Sequence, residues 1–310
     1  MKHKLPSLML GLGAACFGAW ELRAAPDLLP RSDDALPAAQ AAVPNPADLV
    51  RRSAEWLARR RSIVAKVRHR ARLFDREIIG SGEFAQGPVS SRLLRYDLRM
   101  QIGDRVVGRL QVSDGTHLWI VNHFKNEPDI ERVDVDRVVA ATGQGGGPAY
   151  APDPALGGLS HLLAKLRADF DFHSVFRSQL GDVPTYGLEG RWRAEALAKL
   201  LPAQAAAAAT GASFDLSKLP AHVPDRVVLY LGVDDLFPYR VEYHRDAAAA
   251  DEVPAETRAM SATARPLLVL EFFEVRFDGP LEETLFLFSP GTRKFLDVTE
   301  SYLAKRTTIP

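Results

Sequence analysis

The residues of this chain that could act as acid, base, nucleophile or metal ligand are scattered rather than grouped. His69, His117, His123, His161, His173, His222 and His244 show no His-x-x-x-His or comparable ligand spacing. Gly158-Leu159-Ser160-His161 is half of a nucleophile elbow, in which a serine sits on a tight strand-to-helix turn. Leu162 stands where the closing glycine belongs. The glycine-rich stretch Gly143 to Gly147 lacks the Gly-Lys-Ser/Thr that a phosphate-cradling loop requires. Cys16 is the only cysteine, which rules out an intramolecular disulfide and argues against thiol catalysis or a cysteine-based zinc site. The pattern predicts a binding protein with no catalytic residue, metal or cofactor. A hydrolase whose triad is assembled only in space stands third among the readings.

Charge narrows the partners. Lys plus Arg and Asp plus Glu each number 39, so the whole molecule exerts no net field on a polyanion. Between Arg51 and Arg72, however, nine cations accompany the single acid Glu55. Such a segment is either the solvated outer face of a half-buried strand or a docking patch for an anionic membrane surface. No nucleic-acid partner is expected, because no reading module or interleaved aromatic residue accompanies the charge.

These residues must be positioned by a sheet. Asp114-Gly115, between Leu110-Gln111-Val112 and Leu118-Trp119-Ile120, is a strong hairpin signal. Upstream, Ile63 to Leu73 alternates apolar and basic residues, and Leu94, Tyr96, Leu98 and Met100 alternate with Arg95, Asp97 and Arg99. With a three-residue turn at Ile102-Gly103-Asp104, Met100 falls opposite Val106, Leu98 opposite Gly108 and Tyr96 opposite Leu110. A two-residue turn puts Arg109 opposite Leu98 instead. The Asp114-Gly115 turn then pairs Leu110 with Trp119 and Gly108 with Val121. On the first alternative, one apolar face holds Leu94, Tyr96, Leu98, Met100, Val106, Leu110, Val112, Trp119 and Val121. Leu118 and Ile120 point the other way, which predicts cover on both sides of their strand.

Helices are expected over about 46–60, 154–170 and 194–201. Further strands are expected near 172–178, 186–192, 226–232, 238–245, 265–277 and 284–288. The alanine tracts near 203–212 and 246–264 read as insertions in surface connections. Helices are few and lie between groups of strands, so the class is α+β, mainly β, with an antiparallel sheet and helices on one face.

The start of the chain reads as an export signal over residues 1–25, with a basic opening and an apolar run too short to span a bilayer. Gly13-Ala14-Ala15-Cys16 is an imperfect lipidation box, which leaves a lipid anchor at Cys16 open. Residues 26–45 have the composition of a flexible leader, and one domain is expected over 46–310.

Several short motifs resemble the LolA, LolB and LppX type of periplasmic lipoprotein carrier. They are Gly82-Glu83-Phe84-Ala85-Gln86, Val112-Ser113-Asp114-Gly115 with Leu118-Trp119, Phe237-Pro238-Tyr239-Arg240-Val241-Glu242, and Phe286-Leu287-Phe288-Ser289-Pro290-Gly291. The resemblance covers roughly residues 46 to 300. It departs from the family at Pro88-Val89-Ser90-Ser91-Arg92-Leu93, where the Arg-Pro pair linked to cargo hand-over has no counterpart. It implies a strongly curved sheet forming an incomplete, half barrel, with helices covering its concave apolar face. It also implies lipid or lipoprotein acyl chains as ligand on the nine-residue apolar stripe, Trp56 and Leu57 in the lid, and a monomer in the periplasm or cell envelope. The competing reading keeps the same half barrel as an envelope sensor or protein-interaction scaffold with a filled core.

Overall fold

A computed structural model of the chain describes residues 44–73, 76–124, 127–142, 156–245 and 266–307. The expected export signal, most of the leader, the glycine-rich stretch and the insertion near 246–264 lie outside these residues.

The first helix, α1 (Pro46–Ala58), starts where side-chain chemistry dictates. The Asn45 Oδ1 accepts from the Asp48 N–H at 3.1 Å, and Pro46 occupies a position whose own N–H would have no helical partner. Leu49, Val50, Ser53 and Leu57 form its buried stripe. Two hairpins follow, β1 (Ile63–Leu73) with β2 (Arg76–Gln86) and β3 (Leu93–Ile102) with β4 (Arg105–Asp114). Next come β5 (His117–His123), β6 (Asp129–Asp134) and the short helix α2 (Val135–Thr142). Helix α3 (Gly158–Asp169) leads into β7 (Phe170–Leu180), β8 (Val183–Trp192), α4 (Ala194–Leu200) and α5 (Pro202–Ala209). The chain closes with β9 (Arg226–Gly232), β10 (Pro238–His244), β11 (Leu268–Phe277), the two-residue β12 (Leu296–Asp297) and α6 (Thr299–Thr307).

All twelve strands form one sheet in the order β12-β6-β5-β4-β3-β2-β1-β11-β10-β9-β8-β7. Pairing is antiparallel except where β12 lies parallel to β6. The terminal strands of this order do not pair, so the sheet is a curved open one, the expected incomplete barrel. One face packs on the helices: Ile63, Val67, Phe84, Leu94, Leu229, Val241, Leu270 and Phe272 share a core with Leu49 and Leu57 of α1 and Leu159, Leu163 and Leu166 of α3.

One expected strand is corrected, and two segments gain structure that the sequence reading did not assign. Residues 284–288 are not a strand; Glu283–Phe286 is a 3₁₀ turn in a segment crossing the other face of the sheet, where the Arg95 Nη1 donates to the Leu285 carbonyl at 3.4 Å. The first alanine tract is the helix α5, with no buried residue, which suits a residue that forms helix with little entropic loss. Residues 129–142 hold β6 and α2, which the glycine-rich stretch after them obscures in the sequence.

Candidate functional site

The turn between β3 and β4 decides which residues share a surface. Ile102 pairs with Arg105, which leaves only Gly103 and Asp104 in the loop. Gly103 has φ 60°, and a leading glycine at positive φ is the mark of a type II′ hairpin turn. The expected three-residue turn and its pairing are therefore replaced by the two-residue alternative. Leu98 faces Arg109, Tyr96 faces Gln111 and Leu94 faces Ser113.

A slip of one residue moves every side chain of a strand to the opposite face. The single apolar stripe of nine residues accordingly divides in two. Leu94, Tyr96, Leu98 and Met100 lie on the helix-packed face. Val106, Leu110, Val112, Trp119 and Val121 lie on the outer one. At the next turn Val112, not Leu110, faces Trp119, and Leu110 faces Val121, a shift of two that preserves the face. Leu118 and Ile120 join the helix-side core, so β5 is covered on both sides as its sequence requires.

On the helix side, one row across the sheet reads Phe272, Val67, Gly82, Leu98, Arg109, Asn122, Asp129. The next reads Ala65, Phe84, Tyr96, Gln111, Ile120, Glu131. Gly82 is required in its row because a Cβ there would stand 1.9 Å from the Asp97 carbonyl oxygen. In these two rows the face passes from apolar to mixed at β4, and His69 of β1 and Gln86 of β2 stand in the rows on either side. Gln111 and Asn122 are buried, and the Asn122 Oδ1 has no hydrogen-bond partner among the described residues. Sequence reasoning left Arg109, Gln111 and Asn122 out of the stripe; the dipeptide Gly103-Asp104, read as a two-residue turn, is the signal that finds them.

On the outer side, Trp119, Val121 and Ile130 form a second apolar cluster with Leu110 and Phe288. Trp119 meets the Phe288 ring at 5.5 Å and the Phe295 ring at 5.1 Å. Leu287 and Leu296 nearby are 62% and 64% exposed, which leaves unburied apolar surface beside this cluster. Asp297 anchors the segment: hydrogen bonds from Arg132 and from the side chain and backbone of Thr299 hold its carboxyl down at about 2.

The helical cover is tied to the sheet layer by a few polar contacts. Ser53 Oγ donates to the Leu236 carbonyl at 2.5 Å, the Leu159 N–H donates to Gln86 Oε1 at 3.0 Å, and Arg60 pairs with Asp278 at 2.8 Å. Leu57 is fully buried, and Trp56 packs edge-on against Phe277 with ring centroids 4.9 Å apart. Of the phenylalanines near the end of the chain, Phe272 and Phe277 pack with Phe237 on the helix side, whereas Phe273 lies outward under Arg68. Outside the helix pair, a cleft of about 660 Å³ is lined by Asn45, Asp48, Arg51, Arg167 and Arg193 among others. It is polar, and Arg51 is already engaged by Asp48 and Glu55.

The basic segment is largely neutralised where it meets the sheet. Lys66 pairs with Glu274, Arg68 with Glu271 and Arg70 with Glu77, partners that come from neighbouring strands and so are invisible in the local sequence. This arrangement is that of a solvated outer face. Farther along the same face lies a buried ionic group: Glu242 forms an ion pair with Arg240, Oε1 to Nε 2.7 Å, and its Oε2 is hydrogen-bonded to His244 Nε2 at 2.9 Å. Burial pushes the Glu242 carboxyl up, but the His244 hydrogen bond and the charges of Arg240, His244 and Arg226 outweigh it, so its pKa lies below the usual range. On the helix side, burial alone lowers the His69 imidazole and raises the Tyr243 phenol.

Ser160 lies in the first turn of α3, where its Oγ donates to the Gly157 carbonyl at 3.4 Å. Among the described residues no group of three His, Cys, Asp or Glu side chains could hold a metal ion, and no helix is long and apolar enough to cross a membrane.

No family model and no curated protein matches the sequence. Similar solved structures include an uncharacterized conserved protein from Thermus thermophilus, 12% identical over 81% of this chain and 98% of that one, at a TM-score of 0.41. A LolA superfamily protein from Nitrosomonas europaea is 12% identical over 79% of this chain and 99% of that one, at 0.27. MucB of Pseudomonas aeruginosa, solved in complex with MucA, is 14% identical over 78% of this chain and 61% of that one, at 0.35. The LolA type, first met in short residue motifs, is thus among the proteins to which this chain is similar. Likenesses at this level carry no argument about function.

Proposed function

We propose that this is an exported, non-enzymatic protein that shelters the acyl chain of a lipid or lipidated partner between the sheet and its helical cover. The observation that carries the reading is the helix-side face itself. Apart from His69 and Gln86 it is apolar from β3 across β1 to β9, and its cover is a pair of helices tied by few polar contacts rather than a second hydrogen-bonded sheet. Each CH₂ transferred from water to such a surface contributes about 0.8 kcal/mol, so a chain of ordinary length binds without polar recognition. Leu94, Tyr96, Leu98 and Met100 are the ligand-facing residues in this reading, with Trp56 and Leu57 in the cover. Val106, Leu110, Val112, Trp119 and Val121 do not belong to that site.

The outer apolar cluster favours a second reading, an envelope scaffold that binds a partner protein. Leu287 and Leu296 are exposed beside Trp119 and Phe288, the kind of surface that a partner covers. Native mass spectrometry of the full chain, purified without detergent from cells that export it, separates the two. Co-purified lipid, displaced by a fatty ester, supports the carrier. A lipid-free chain that binds no apolar probe, yet is captured by one envelope protein through Leu287 and Leu296, supports the scaffold.

A further inference from the structure

We infer that the polar end of the helix-side face, at Arg109 and Asn122, binds the singly charged oxygen head of an amphiphile, a carboxylate or a phosphodiester. This deepens the carrier reading and rests on it. Leu98, Arg109 and Asn122 stand directly opposite one another on β3, β4 and β5, so their Cβ atoms follow at steps of about 5 Å along one face. Arg109 is half-buried, and its guanidinium has no ion-pair partner among the described residues. Asn122 is 8% exposed, and its Oδ1 is unpartnered among the described residues. Because the two ends of a side-chain amide exchange by rotation, that same point can present N–H donors instead.

A buried amide end without a protein partner gains from a ligand that completes it, and a guanidinium with no ion pair beside it gains from an anion. An oxygen that accepts from both does so, and the hydrocarbon behind it then lies on Leu98, Met100 and Val107. Asp129 faces Asn122 and Glu131 faces Ile120 on the same side of the sheet. Their carboxylates oppose a multiply charged head more strongly than a singly charged one, so of the anionic heads a singly charged one fits best here. His69 is on this face too, across Gly80 from Met100, and burial keeps its imidazole neutral enough not to compete for the anion.

The test titrates the full chain with oleate, with a phosphatidylglycerol and with methyl oleate, which has the chain but no charge. The expected result is that at least one charged ligand binds about tenfold more tightly than methyl oleate, the increment of one charge-assisted hydrogen bond. Arg109→Gln removes that preference and leaves methyl oleate binding unchanged; Asn122→Asp weakens the charged ligand alone; Arg109→Lys retains part of the preference. Which charged ligand gains identifies the head as carboxylate or phosphodiester. Equal affinity for all three ligands, methyl oleate included, overturns this inference and leaves the carrier reading intact. Failure of every ligand, methyl oleate included, removes the carrier reading and this inference with it.

Discussion

The two ends of the sheet use their faces in different ways. Over β9 to β11 the inner face is strictly apolar or aromatic: Leu229, Leu231, Val241, Leu270 and Phe272 face the helices, while Arg226, Arg240, Glu242 and Glu271 face outward beside Val228, Val269 and Phe273. Over β4 to β6 both faces are occupied. Trp119, Val121 and Ile130 make an apolar cluster outside, and Arg109, Gln111, Ser113 and Asn122 stand among Leu118 and Ile120 inside. The first end keeps its charged groups on the outer face, where Glu242 gathers Arg240 and His244 around it. The second holds polar groups on an inner face, which a sheet built for stability alone would exchange for aliphatic ones.

The sharpest break of that contrast is Phe84→Ala, which removes a fully buried ring touching Tyr96 and Phe272. A loss of about 3 to 5 kcal/mol is expected in urea unfolding, from lost burial and the cavity left behind. Glu242→Gln breaks the outward ionic group at the strict end and should cost about 2 kcal/mol at neutral pH. Its sign with pH is fixed. The folded pKa of Glu242 is lowered, so the stability it contributes is complete above the ordinary carboxylate value and is lost as pH falls through the folded value. The gap between variant and wild type should therefore close in acid, as unfolding midpoints measured across pH will show.

Arg109→Leu and Asn122→Leu should have the smallest effects on the ligand-free chain, within about 0.5 kcal/mol or slightly stabilising. A loss of about 2 kcal/mol from either would mean that these groups serve the fold and not a ligand.

Much of the strict end and the class of the fold can be read from the sequence. Period-two alternation marks β1 and β3, and the spacing after Pro46 marks α1, because each side of these elements meets a different solvent. What escaped lies in single turns and in pairs distant along the chain. Reading Ile102 as part of the turn placed Val106 to Val112 on the wrong face, although Gly181-Asp182 makes the same two-residue hairpin between β7 and β8. The pairing of Lys66 with Glu274, 208 positions apart, has no local signature, so a neutralised face looked like a basic patch. The strand expected over 284–288 failed because aromatic residues suit any buried extended segment, including one that crosses a sheet without joining it.

The central claim is that a hydrocarbon chain lies on the helix-packed face of this sheet. Photo-crosslinking the full chain with a diazirine-bearing fatty ester, followed by peptide mass spectrometry, tests it most directly. Adducts should fall on Tyr96, Leu98, Met100 or Val107. Adducts confined to the Trp119 and Phe288 side, or none above an unfolded control, would contradict it.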